Sequence, residues 1–393
     1  MTTDGRLGSL VRPRAGAGGA LFMVAAALAA AFSLGVATSF ADGLLSFPAD
    51  RGQAAVAEDL VAFHRAGEMA LDGEGAAAYD PGAFRAGLAE RQKGLLWLNP
   101  PHAFFIMAPI AALPYGAAKA IWLALNFAAI PGVLALAGVK SRAFLALALL
   151  SPAMLVSTML LQLGGFIALG LAAALVLAPR RPILAGVILA FLTMKPQYGL
   201  MAPLFLIATG QWRAIISAVA ATALLVAASV ALFGAESWLA FFESLKTVHG
   251  PFSRQVMEGT ATFAQTAAKF GASEAARAAA QGVGVALCAA AVWSAARRLP
   301  RSKAMSLTLL VSLAAAPSAW IYDWPLVIAA LAFLAARPNW PVPVQAAAGL
   351  LWLAPLVPTF WDGLLAGVAP ALALYAAATA TAAWVFSERQ RAA

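Results

Sequence analysis

Lys195 stands in FLTMKPQYGL, where two short apolar runs, 182–194 and 197–209, meet. A lysine placed in hydrocarbon costs roughly 2.5–3.5 kcal/mol on insertion scales, so such a group usually faces a cavity and finds a partner there. Pro196 ends the preceding helix and leaves backbone carbonyls unpaired, which also suits a cavity wall. The plainer reading is a lysine that snorkels to the headgroups. Carboxylates are the second resource. Of the 17 acidic residues, nine lie between 42 and 90, and EDLVAFHRAGEMALDGEGAAAYDP (58–81) follows closely on the first long apolar run. Asp59 is the favoured general base. It sits early on a helix just after that run, where it can hold a carboxylate over a lipid-lined cleft. Against this, acidic residues on an outer loop are usually just solvated.

Three other places carry chemistry-bearing side chains. LWLNPPHAFF puts His102 behind two prolines, at the start of a segment that enters the membrane. It suits a phosphate oxygen or a proton transfer, or simply the interface beside Trp97. Gln162, in TMLLQLGGF, is a lone amide beside two glycines and serves either as a helix cap or as a ligand contact. AWIYDWP carries Trp320, Tyr322, Asp323 and Trp324. An aromatic belt accounts for the rings but not for Asp323.

These residues need elements to hold them, and composition fixes what kind. The chain has 393 residues, 62% of them hydrophobic and only 11% charged, with a mean hydropathy of +0.83. That excludes an ordinary soluble globule and specifies an all-α polytopic membrane protein. The net charge of +9 does not point to nucleic acid, because the basic residues fall in short clusters between apolar runs. Cys288, the single cysteine, lies in an apolar run, which excludes an intramolecular disulfide and a cysteine metal cluster. Packing is its expected role. The P-loop, GxSxG and HExxH patterns are all missing from the sequence, and the three histidines are scattered, so no metal site or cofactor is predicted.

Charge asymmetry orders the runs. Residues 1–17 form a cytoplasmic N-terminus and 18–42 a retained first transmembrane helix. Residues 43–99 form a long outer loop, and 100–233 a transmembrane core with the active-site cavity. A second outer loop covers 234–275, C-terminal transmembrane helices cover 276–386, and 387–393 is a cytoplasmic tail. About twelve crossings result, with 100–113 half-inserted between Pro100, Pro101 and Pro114. Leu60, Phe63, Gly67, Ala70 and Leu71 follow helical spacing, with Glu58, Arg65, Glu68 and Asp72 opposite. That pattern predicts an amphipathic helix lying on the membrane surface, with a second over 82–93.

The ordered motifs DLVAFHRAGEMALDGEGAAAYDP, WLNPPHAFFIMAPIAALPYGAAKAIWLALN, LLQLGGF, RPILAGVILAFLTMKPQYGLMAPLFL, WRA and WIYDWP resemble glycosyltransferase family 87 over roughly 20–340. The resemblance implies a GT-C fold and an enzyme of the polyprenyl-phosphate-mannose-dependent α-mannosyltransferase type. It implies Asp59 as general base and matches Tyr79 and Asp80 to a tyrosine-aspartate motif. Lys195 and Pro196 match a Lys-Pro pair. The chain departs from the family pattern at Asn99, which replaces an aromatic before Pro100 and Pro101. It departs again at Leu161–Gly164, where only Gln162 of a Gly-Gln-x-Asn segment is kept. The implied donor is a sugar on a polyprenyl phosphate and the acceptor a lipid or glycan, in contact with membrane lipids. Lys195, with His102 or Arg254, would meet the departing phosphate. Tyr79, Asp80, Gln162, Gln197, Tyr322 and Asp323 would line the substrate site. The implied setting is a bacterial inner membrane with the site facing the periplasm or outside. The rival classes are a transporter or lipid-linked-sugar flippase, and a non-catalytic assembly protein. The lack of inverted repeats speaks against transport.

Overall fold

The structure, a computed structural model, describes residues 19–54, 58–247, 259, 261–335, 340–360 and 363–392. Among these residues every regular element is a helix. Six segments are long and apolar enough to cross a bilayer: Ala20–Ser39, Tyr115–Ala137, Trp212–Phe233, Glu274–Arg298, Val342–Thr359 and Gly367–Ser387. A seventh is possible if Arg142–Leu149 and Pro152–Met159 act as one span bent by about 40°. The bend falls at Ser151, whose Oγ accepts a hydrogen bond from the Met154 amide at 3.2 Å, with Pro152 opening the second helix. The chain is therefore a polytopic helical membrane protein, but the expected twelve spans are not matched by twelve helices of spanning length.

The difference has a local cause. The remaining apolar runs are cut short by prolines and turns into Pro101–Ala111, Gly164–Leu177, Pro182–Leu192, Pro196–Ala208 and Ile321–Ala335. At 1.5 Å per residue these reach only about 16–23 Å, against about 30 Å of hydrocarbon. They are broken helices, and backbone left unpaired at such breaks is tolerated only where protein or a cavity surrounds it; Pro182–Leu192 still exposes Ile183 and Phe191 on one side. Arg301–Ala315 and Pro325–Ala335 pack together and are buried along nearly their whole length. Pro325–Ala335 is apolar all round and belongs in such a core, and the buried hydroxyls of Arg301–Ala315 are bonded to backbone carbonyls: Ser306 to Ala330, Thr308 to Ala304 and Ser312 to Thr308. Trp212–Phe233 is the opposite case: it exposes Ile216, Val219, Leu224 and Leu232, as a lipid-facing helix should.

The first outer segment also departs from expectation. The helical spacing predicted over 60–71 is realised as Leu60–Leu71, but this helix does not lie on the surface. Nine of its residues are buried, among them Leu60, Phe63, His64 and Met69. It packs against Phe104–Ala111. Gly67 makes the approach possible, since a Cβ there would stand 2.2 Å from the Met107 carbonyl oxygen. His64 Nε2 lies 3.0 Å from the Leu113 carbonyl oxygen and fastens the far end. The second expected surface helix is reduced to Pro81–Ala86 and a single 3₁₀ turn, Glu90–Gln92. The segment is thus folded against the rest of the protein: Glu58 and Glu68 have protein partners, while Asp72 and Glu74 are exposed.

Candidate active site

Four elements converge: the start of Leu60–Leu71, the turn between Pro152–Met159 and Gly164–Leu177, the turn between Pro182–Leu192 and Pro196–Gly199, and the turn Ile321–Asp323. Asp59 occupies the position before the first of these helices, but its side chain does not cap that helix. Its backbone amide instead donates to the Leu160 carbonyl at 2.9 Å, which ties the outer segment to the second turn. Leu161 has φ +50, a left-handed conformation uncommon for a non-glycine residue. Its carbonyl accepts the Trp122 indole N–H at 2.9 Å. Gly164 lets the turn approach the loop before Pro325, since a Cβ there would stand 2.5 Å from the Tyr322 carbonyl oxygen.

So held, Gln162 donates from Nε2 to Asp59 Oδ2. Its Oε1 accepts from Lys195 Nζ at 3.2 Å. Lys195 Nζ also donates to Asp323 Oδ1 at 2.9 Å. The second oxygen of Asp323 accepts the Tyr198 hydroxyl and the Trp320 amide at 3.1 Å. The Tyr322 ring, stacked parallel on Trp320, lies 4.9 Å from Lys195 Nζ. The result is one hydrogen-bonded chain: Asp59, Gln162, Lys195, Asp323, Tyr198. The lysine can only donate and the carboxylates accept, so the orientation of the amide is set by its neighbours.

Charge and burial work against each other at Asp59. Burial raises its carboxyl to about 6, while the Gln162 hydrogen bond and the Lys195 charge pull it down and Asp323 pushes it up. A carboxylate poised near neutrality is suited to taking a proton. One oxygen, Oδ2, accepts from Gln162. Lys195 uses two of its three N–H groups, so a third can meet an anion. Among the described residues no three His, Cys, Asp or Glu side chains converge as a metal-ligand set.

Of the residues named from sequence, Asp59, Gln162, Lys195, Tyr322 and Asp323 come together. Gln197 is the sequence neighbour of Tyr198 and half-buried. His102 is buried: its Nε2 lies 3.0 Å from Thr193 Oγ1, and its ring stacks on Trp238. Thr193 spends its own hydrogen on the Ala190 carbonyl, so Nε2 must be the donor to Thr193. Tyr79 and Asp80 have structural partners. The Tyr79 hydroxyl donates to the Asn99 carbonyl at 2.7 Å, and Asp80 Oδ1 caps Pro81–Ala86 through the Ala83 amide at 2.7 Å. Arg254 lies outside the described residues.

Sequence reasoning missed two features. Tyr198, three residues after Lys195, clasps Asp323. Next to Asp59, Glu58 is buried with Lys119 and Tyr115: Lys119 Nζ lies 2.5 Å from Oε1 and the Tyr115 hydroxyl 2.8 Å from Oε2. Lys119 stands in the apolar run AAKAIW, and the cost that singled out Lys195 applies to it equally.

Broken helices that gather a buried acid, an amide and a cation in a polytopic membrane protein are an arrangement suited to a membrane enzyme. A model of glycosyltransferase family 87 matches residues 97–317, more than half of the chain. The chain belongs to glycosyltransferase family 87 and is a membrane glycosyltransferase. No curated protein and no solved structure matches it. The matched segment contains His102, Gln162 and Lys195, and leaves Asp59 and Asp323 on either side.

Proposed function

We propose that this enzyme moves a hexose, mannose by resemblance, from a polyprenyl-phosphate-linked donor to a lipid or glycan acceptor. The reaction takes place on the outer side of a bacterial inner membrane, within a GT-C-like arrangement. The observation that carries the reading is the continuous chain from Asp59 through Gln162 and Lys195 to Asp323. It joins an acid from the outer segment to a lysine at the meeting of two broken helices.

In this scheme the acceptor hydroxyl approaches the open oxygen of Asp59. Its oxygen attacks the anomeric carbon as its proton passes to Asp59. The bond from that carbon to the phosphate oxygen breaks, and the electron pair leaves with the polyprenyl phosphate. A single displacement of this kind inverts the anomeric centre. Charge grows on the departing phosphate, and the remaining N–H of Lys195 meets it. Asp323 and Tyr198 hold the lysine in place, and the Tyr322 face covers it. His102, and Arg254 from the second outer loop, are secondary candidates for the phosphate, with Gln197 and Tyr322 for the sugar. Tyr79 and Asp80 would act by shaping the outer wall.

The test is turnover of polyprenyl-phospho-hexoses by purified protein with glycan and lipid acceptors. Release of polyprenyl phosphate and an inverted product are expected. Hexose transfer that proceeds only from nucleotide-activated sugar would sink the donor assignment.

A further inference from the structure

Gln162 has the position of a substrate contact but not the bonding of one. It is buried, and the two ends of its amide are engaged by protein: Oε1 by Lys195 Nζ and by the Leu163 amide, Nε2 by Asp59. The turn that carries it is pinned from three directions. Asp59 N holds the Leu160 carbonyl, Trp122 holds the Leu161 carbonyl, and Gly164 seats against the Tyr322 backbone. A strained φ at Leu161 is kept only where surroundings over-determine it. The fold therefore fixes one side chain between the two groups that the reaction needs.

We infer that Gln162 is a positioning residue: its amide transmits the charge and place of Lys195 to Asp59, and aims that carboxylate's open oxygen at the acceptor hydroxyl. The physics is that of a hydrogen-bonded chain in a poorly solvated site. A cation at the carbonyl end polarises the amide and strengthens the N–H donated at the other end. The amide cannot turn round, because that would set its N–H groups against an ammonium and its oxygen against a carboxylate. The inference rests on Asp59 being the base, and the experiment separates the two.

Rate is measured against pH for wild type, Gln162→Leu, Gln162→Glu and Asp59→Asn, each after its folding has been checked by thermal melting in detergent. Wild type should lose kcat/KM as pH falls through about 6, where Asp59 takes up its proton. Gln162→Leu removes a bond that favours the ionised form, so its acid limb should move up by about one unit. Above that limb kcat should remain roughly 10-fold low, with donor and acceptor KM within about twofold of wild type, since aim and not binding is lost. Gln162→Glu keeps an oxygen for Lys195, loses the N–H to Asp59 and adds a like charge. Its limb should move further than that of Gln162→Leu, and it keeps the test open if the leucine variant does not fold. An unmoved acid limb in a folded variant overturns the inference, as does a loss confined to KM. Wild-type turnover by Asp59→Asn would instead overturn the base assignment beneath it.

Discussion

Lys195 and Asp323 are a buried ion pair, and breaking such a pair differs from replacing it. Removing one partner leaves the other charge buried and costs about 3–5 kcal/mol. Replacing both with apolar groups of similar volume is often neutral. Lys195→Met and Asp323→Leu should each lower the melting temperature sharply, and the double variant should recover only part of the loss, because Tyr198, Trp320 and Gln162 also lose partners, without recovering turnover. A double variant no more stable than either single would mean that the pair is not what these substitutions disturb. Asp59 behaves differently. Asp59→Asn should lose about 10²–10⁴ in rate while keeping its affinity for a non-reactive polyprenyl-phospho-sugar, because an amide fills the place but takes no proton. Lys195→Ala should weaken that affinity; equal binding by wild type and Lys195→Ala would return the lysine to a purely structural role. At this scale much was legible. Lys195 stands out by the cost of a charge in hydrocarbon, Gln162 as a lone amide beside two glycines, and Asp323 as an acid that an aromatic belt does not explain; the structure brings the three together. Tyr198 was not, because a tyrosine near a membrane interface needs no special explanation. Lys119 was costly enough to notice, but its partner Glu58 lay in the outer segment, and spacing alone does not pair residues so far apart.

The elements were legible in their period and not in their neighbours. Leu60–Leu71 was predicted from spacing, yet it lies under protein where a surface position was expected. The reason is physical. Lipid and a protein interior are both apolar, so an apolar stripe does not say which of them it meets. Glycines carry the missing information, because they mark where backbones touch. Gly67 faces the Met107 carbonyl at a distance that no Cβ tolerates, whereas a Cβ at Gly94 would meet nothing within 4 Å. Gly67→Ala should therefore destabilise the protein by about 1–3 kcal/mol through overpacking. Gly94→Ala should change little. Thermal melting of the two variants decides the matter: if they match, the outer helix is not clamped against Phe104–Ala111 as described.

For the whole molecule, run length overstated the number of spans because a run is not a helix. Six helices reach spanning length, and the shorter ones stop where the site gathers. A helix such as Pro182–Leu192, starting from one face, ends roughly 10–15 Å short of the other. Under the proposed function, that shortfall is where a lipid-linked phosphate would reach Lys195. The expected topology sets Lys140, Arg180, Arg181, Arg297 and Arg298, which flank apolar helices, on the cytoplasmic face. Cys288 is the only thiol, buried and unpaired. A Cys288→Ala background therefore allows cysteines to be placed one at a time. Glu74→Cys and Glu243→Cys should react with an impermeant thiol reagent added from outside. Lys140→Cys and Arg298→Cys should react only after the membrane is opened. The decisive position is 140. Its labelling from outside would mean that Pro101–Ala111, about 16 Å of helix, crosses with help from its flanks. The segment bearing His102 would then be a span, where a half-inserted turn was expected. Protection at 140 leaves residues 58–99 and that half-inserted helix on one side of the membrane, the side from which Asp59 would meet its acceptor.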